Sequence, residues 1–240
     1  DLIARREYDL TIAEILSALA SGGAPYTGIQ GITYRDCDGA VISNPDRPYM
    51  HDLDDLPFAS QVYSKHLNIR DYYYGHVRYP MVSIFTSRGC NAKCTYCVYP
   101  QTMFGMHRAR SAKNIADEFL WIQKNLPEVK EVLIDDDTFT MNPGHAREVA
   151  TQLIAQKNKL PWTCEVRSTL DFKTLSLMKK ARCRLVVVGF ETVDQQVLRN
   201  IKKGTVQTQT DAFVDACKQA GIKIHACFMA GNPGDTPQTL

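Results

Sequence analysis

Nothing in this 240-residue chain approaches the run of about 18 apolar residues that a membrane-spanning helix needs. Nor is there a concentrated basic block: 28 Lys and Arg face 26 Asp and Glu, a net charge of +2, which leaves no electrostatic footprint for nucleic acid. Cysteine is too sparse, eight in a long chain of ordinary composition, for a disulfide-stapled scaffold. No second Cys or His pair stands where a two-knuckle zinc site would need one, and the nearest single candidate, His107, lies ten residues past Cys97. These absences leave a cytoplasmic enzyme acting on a small molecule, with 44% apolar residues to build one large domain or one and a half small ones.

The chemistry that is present is concentrated in Ser87-Arg-Gly-Cys-Asn-Ala-Lys-Cys-Thr-Tyr-Cys97, which sets Cys90, Cys94 and Cys97 within eight residues just after an apolar run. Three thiolates on a tight loop suit a four-iron cluster and leave one iron without a protein ligand, a place for chemistry. An iron–sulfur cluster is favoured over zinc or incidental thiols. Cys37, Cys164, Cys183, Cys217 and Cys227 are scattered and read as small buried hydrophobes.

Residues 9–20 carry Leu10, Ile12, Ile15, Leu16 and Leu19 at helical spacing, with Ser21-Gly22-Gly23 as the stop. Segments 28–35 and 40–43, separated by Asp38-Gly39, read as a β-hairpin, and 44–80, rich in proline, as an irregular linker. From Met81 onward the pattern predicts parallel β/α units, with strands at 81–86, 130–135, 162–167, 184–190 and 222–228 and helices near 111–125, 143–157, 171–181 and 206–220. The fold class is therefore α/β, a partial, open β/α barrel preceded by a small helix-plus-hairpin linker region. The chain starts without Met and stops at Thr239-Leu240 as a helix starts after Pro237, so it reads as part of a longer protein.

In β/α barrels functional groups collect at the carboxyl ends of the strands. The first strand leads to the cysteines. The second ends in Asp135-Asp136-Asp137-Thr138-Phe139, where adjacent carboxylates repel unless they face a cation, a donor or water. The third ends in Cys164-Glu165-Val166-Arg167, the fourth in Gly189-Phe190-Glu191-Thr192, and the fifth runs into Gly231-Asn232-Pro233-Gly234-Asp235. Singly, each has an explanation as a turn or cap; together they mark one end of a barrel as a site.

The cysteine loop resembles the signature of the radical S-adenosylmethionine (SAM) enzymes, Cys-x3-Cys-x2-Cys with an aromatic residue before the last Cys, here Tyr96. Across roughly 81–240 the order of segments is similar to that family's core, and the details look like the subgroup whose full-length members carry an N-terminal cobalamin-binding domain. The resemblance implies a [4Fe-4S] cluster on Cys90, Cys94 and Cys97, with SAM on the open iron. It places Tyr96 beside the adenine, Asp136 and Asp137 on the SAM amino group, and Arg167 on its carboxylate, where a planar guanidinium is well shaped. Glu191 would reach the ribose hydroxyls, with Glu165 a further candidate. Two more stretches, 197–205 and 231–236, look characteristic of the subgroup.

The resemblance also implies a layout: 1–22 as the end of a cobalamin-binding-like domain, 23–80 as hairpin and linker, and 81–240 as a radical SAM core incomplete at its C-terminus. Cobalamin itself would bind upstream of Asp1. A reductase or flavodoxin-type electron donor and a small-molecule or lipid substrate, with a hopanoid-like polycyclic lipid as the resemblance's specific suggestion, complete the expected partners, and the reaction would be methylation or rearrangement. His107, Tyr99, Met103 and Phe104, just after the cysteines, are candidates for substrate contact, though loop packing explains them as well. One alternative is a methylthiotransferase acting on tRNA or a ribosomal protein, but only Cys37 precedes the motif where that group carries three cysteines. Another is a non-catalytic iron–sulfur electron-transfer module, which would normally saturate all four irons with cysteine.

Overall fold

Asp38-Gly39 turns the chain as expected, with Gly39 at φ +86° and Asp36 Oδ1 accepting from Asp38 N and Ala40 N. In the computed structural model, which describes residues 1–22, 26–102 and 105–239, this hairpin belongs to a unit built on Asp1–His51. There β1 (Leu2–Ala4), β2 (Ile32–Arg35) and β3 (Val41–Ser43) form an antiparallel sheet in that order, and α1 (Asp9–Ala20) packs Ile15 against Ile29, Ile32 and Tyr34. The guanidinium of Arg5 pins the sheet, donating to the carbonyls of Ile32 and Asn44 and to Asp46. The apolar stripe of α1 is only partly used: Leu10, Ile12, Leu16 and Leu19 stay 40–60% exposed, while Thr11, buried instead, donates to the carbonyl of Gln30.

A larger unit starts at Asp52. Its sheet is parallel, with β4 (Met81–Ile84), β7 (Glu131–Ile134), β8 (Trp162–Val166), β9 (Cys183–Glu191) and β10 (Lys223–Phe228) in sequential order and β4 and β10 at the open edges. Two short strands, β5 (Ser87–Arg88) and β6 (Arg108–Ala109), pair antiparallel and bracket the cysteine loop, whose distal part includes the one-turn helix α3 (Tyr99–Thr102). This matches the expected open α/β arrangement.

Register explains which side faces what. Ile84, Ile134, Cys164 and Val186 are consecutive cross-strand partners and lie in the core beneath α4 (Ala112–Asn125), α5 (Pro143–Ala155), α6 (Phe172–Lys180) and α8 (Gln207–Ala220). Fully buried Phe119, Leu153, Trp162, Leu175 and Phe213 anchor that side, each contributing about 1.5–3 kcal/mol by burial. Glu165 and its neighbour Val187, one residue out of phase, face the other way.

Local signals set the helix starts: Ser111, Asn142 and Asp171 cap α4, α5 and α6 through their side chains, Pro143 opens α5, and Gly221 at φ +69° ends α8. Besides the one-turn α3, two helices escape the sequence reading. The linker contains α2 (Ala59–His66), which has no side-chain cap and is held by long-range bonds, Ser60 N and Oγ both donating to the buried Glu118. The short α7 (Gln195–Asn200) follows Asp194 as cap. Cys164, Cys183 and Cys217 are buried as expected, whereas Cys37 on the hairpin is exposed and Cys227 half-buried because edge strand β10 lacks an outer neighbour. Among the described residues no helix is long and apolar enough to cross a membrane.

Candidate active site

At the carboxyl end of the sheet a cavity of about 220 Å³ is lined by Cys90, Cys94 and Cys97 together with Tyr96, Asp137, Glu165, Arg167 and Glu191. Eight of the nine residues singled out from sequence thus share one wall, brought there by the cysteine loop and three successive strand ends. A wider surface groove of about 920 Å³ beside α6 and α8 carries none of them.

The loop is shaped by its own backbone. Gly89 takes φ +82°, Cys97 N bonds the carbonyl of Cys94 at 3.2 Å, and Thr95 N reaches the carbonyl of Ile201 at 2.9 Å. Burial lifts the Cys97 thiol above its ordinary range, and the neighbouring Cys94 and Cys90 add to the effect; iron bound as cation would reverse that tendency. Among the described residues no three His, Cys, Asp or Glu side chains converge on a single ion. The three thiols instead line one cavity side by side, and an all-thiolate donor set of three fits three irons of one cluster, each with its own ligand.

Asp136 departs from the expectation that it would hold SAM. It is 4% exposed and off the cavity wall, its carboxylate consumed by four donors: Thr86 N at 2.7 Å, Thr86 Oγ1 at 2.5 Å, Ser87 N at 3.0 Å and Ser87 Oγ at 2.7 Å. It ties the end of β7 to the entry of the cysteine loop. Burial raises its pKa to about 6, against the pull of those donors. Asp137, next along, does face the cavity; it accepts from Gly89 N at 2.7 Å and from the Tyr99 phenol, and burial holds its pKa above the usual carboxylate range.

Glu165 is the least satisfied group. Its Oε2 is buried without a partner, and burial, helped by the charge of Asp135, lifts its pKa to about 8. At neutral pH it carries a proton.

Glu191 sits at φ +67°, where the pairing of β9 with β10 shifts register at Cys227/Phe228. Such a conformation is uncommon for a residue with a side chain. It accompanies a carboxylate placed to accept from the Tyr96 hydroxyl at 2.9 Å and to pair with Lys203 Nζ at 2.7 Å. Gly189 makes room: a Cβ there would stand 2.3 Å from Glu191 Oε1 and 3.0 Å from Lys203 Nζ. Arg167 spans the remaining side, its guanidinium bonded to the carbonyl of Lys203.

Lys203, Gly189, Thr138 and Tyr99 also line the wall, and the sequence reading places none of them at the cofactor. Lys203 stood inside the 197–205 stretch, the one available signal. His107 lies off the wall, half-buried, with Nε2 lacking a partner; Met103 and Phe104 lie outside the described residues. The 231–236 stretch folds as a turn, Asn232 N bonding Asp235 Oδ2 at 2.7 Å, and docks on α7 through Asn200 to the carbonyl of Pro233 at 2.8 Å.

The model of the Radical SAM superfamily matches residues 84–240. An uncharacterized methyltransferase of Pyrococcus horikoshii is 29% identical over 241 residues, covering 100% of this chain and 51% of its own length. Cytidylyl-2-hydroxyethylphosphonate methyltransferase of Streptomyces wedmorensis is 27% identical over 233 residues, 85% of this chain and 43% of the relative. Among solved structures, the radical SAM methyltransferase TsrM of Kitasatospora setae, with cobalamin and a [4Fe-4S] cluster bound, superposes with a TM-score of 0.78 at 18% identity, over 100% of this chain and 47% of TsrM. The chain spans about half the length of these relatives.

Proposed function

Because the chain belongs to the radical SAM superfamily, we propose that it is the catalytic core of an enzyme that cleaves SAM reductively, works with cobalamin in the longer protein, and methylates or rearranges a small-molecule or lipid substrate. The observation that carries this reading is the single cavity wall shared by the three thiols, two acids, an arginine and the Tyr96–Glu191 pair.

Cys90, Cys94 and Cys97 would hold the cluster through their thiolates, with SAM beside it. A cluster held there would supply the single electron that reductive cleavage of SAM requires. The remaining residues orient and shield. Asp137 accepts from the SAM amino group, and its lift by burial sharpens its preference for a cationic donor. Arg167 pairs with the carboxylate, Glu191 takes the ribose hydroxyls, Tyr96 lies beside the adenine, and Glu165, protonated, offers a donor rather than a second negative charge. Asp136 fixes the loop instead of touching SAM. Cobalamin has support from the TsrM structure, in which it is bound.

The test is iron, sulfide and SAM binding in the reconstituted full-length protein. Cys90→Ala and Cys97→Ala are expected to lose the cluster, and Arg167→Ala to keep it while weakening SAM binding by roughly tenfold or more, as for a charged hydrogen bond. Normal iron in the cysteine variants removes the ligand assignment, and normal SAM affinity in Arg167→Ala removes that role.

A further inference from the structure

The turn at Ile201–Thr205 has no part in the reading above, yet it touches the site from three sides. The carbonyl of Ile201 accepts from Thr95 N in the cysteine loop at 2.9 Å. The carbonyl of Lys203 accepts from the Arg167 guanidinium, on the third strand end. Lys203 Nζ pairs with Glu191 on the fourth at 2.7 Å, donates to the Tyr96 hydroxyl at 3.2 Å, and stands 5.9 Å from the Tyr96 ring centroid. Three residues from three separate elements, each placed against SAM above, therefore meet one lysine.

That lysine is also immobilised. Lys203 is 9% exposed, its neighbour Ile201 is fully buried, and Val197 and Leu198 of α7 are sunk in the protein. Lys203 N bonds the carbonyl of Leu198, and Gly204 at φ +71° turns the chain where its Cβ-free backbone approaches Arg167. A buried ammonium is retained only with good partners, and here they are Glu191 and Tyr96. Outer partners of this kind hold first-contact residues in working orientation.

We infer that Lys203 is a positioning residue for SAM: it holds the Glu191 carboxylate, the Tyr96 ring and the Arg167 guanidinium in their binding orientation without ligating iron. This inference rests on the cofactor reading above. Without the ammonium, Glu191 keeps the Tyr96 hydroxyl but loses its ion-pair partner, and Tyr96 loses one polar tether, so the half of the cavity expected to meet the nucleoside loosens while the thiols stay in place.

The experiment compares full-length, cluster-reconstituted wild type with Lys203→Met, Lys203→Arg and, as control, the exposed neighbour Lys202→Met. Iron content, thermal stability and SAM affinity by equilibrium dialysis are measured together with the reduced cluster's paramagnetic resonance signal as SAM is added. Lys203→Met is expected to keep its iron, to bind SAM about tenfold more weakly, and to need correspondingly more SAM to change the signal, the usual scale for losing an outer partner. Lys203→Arg is expected to recover most of the affinity, and Lys202→Met to match wild type. Unchanged or tighter SAM binding in Lys203→Met overturns the inference. So does a loss shared equally by the Met and Arg variants and tracking a fall in iron and melting temperature, which marks a merely structural role. If wild type itself holds neither cluster nor SAM, the cofactor reading falls first.

Discussion

At the residue scale the site is a set of side chains whose neighbours decide what each can do. Asp136 and Asp137 are adjacent and chemically identical, yet the first is enclosed by four donors and the second opens on the cavity. Nothing in Asp-Asp-Asp-Thr-Phe distinguishes them, because the difference is made by Thr86 and Ser87, fifty residues away in sequence. The cysteines, by contrast, were legible as a group: three thiols on one short loop need no tertiary information to be brought together. Gly189 offers a sharp check. A methyl there meets first the paired ends of Glu191 and Lys203, so Gly189→Ala is expected to lower folding stability by about 1–3 kcal/mol and SAM affinity about tenfold. Urea unfolding and equilibrium dialysis on the same preparation separate the two effects.

Glu165 adds a prediction in pH. Its folded pKa, about 8, lies above its ordinary value of 4.5, so the folded state holds this proton more tightly than the unfolded chain. The resulting stability is complete below the unfolded pKa and is lost as pH rises through the folded value, and Asp136, raised to about 6, contributes in the same direction. SAM-free protein is expected to lose stability between pH 5 and pH 8.5, on the order of a few kcal/mol, and Glu165→Gln to flatten most of that slope. A denaturation series across this range showing equal slopes in both proteins contradicts the assignment.

At the scale of elements, the strands and the four covering helices were readable because their apolar spacing and caps are local. The strands expected at 81–86, 130–135, 162–167, 184–190 and 222–228 correspond to β4, β7, β8, β9 and β10. α2 was not readable because its support is distant: Ser60 bonds Glu118, which pairs with Arg110 at 2.5 Å, and Arg110 also holds the carbonyl of Phe85 at the entry to the cysteine loop. Glu118 is fully buried. Glu118→Ala leaves Arg110 and Ser60 without their partner, so a loss of about 3–5 kcal/mol is expected. Because Arg110 braces the loop's entry, cluster retention should fall with it. Thermal unfolding with iron analysis measures both, and a stable variant with full iron content shows that the network does not support the loop.

At the scale of the whole molecule, the order of β/α units gathers thiols, acids and cations from distant parts of the sequence at one end of the sheet. That convergence was foreseeable from the rule that such folds place function at the strand ends. What escaped was the inner brace, Lys203, since its neighbours become neighbours only after folding. The division at His51/Asp52 likewise departs from a linker expected to run to 80: α2 packs on β4, which makes the later part of that stretch a portion of the larger unit.

The central claim, reductive SAM cleavage by a cluster on Cys90, Cys94 and Cys97, is tested most directly in anaerobically reconstituted full-length protein, reduced with dithionite and given SAM, by quantifying 5′-deoxyadenosine in wild type and in Cys94→Ala. The account predicts 5′-deoxyadenosine from wild type and none from the variant. Equal amounts from both, or none from a wild type that holds a cluster and binds SAM in the presence of its substrate, would contradict it.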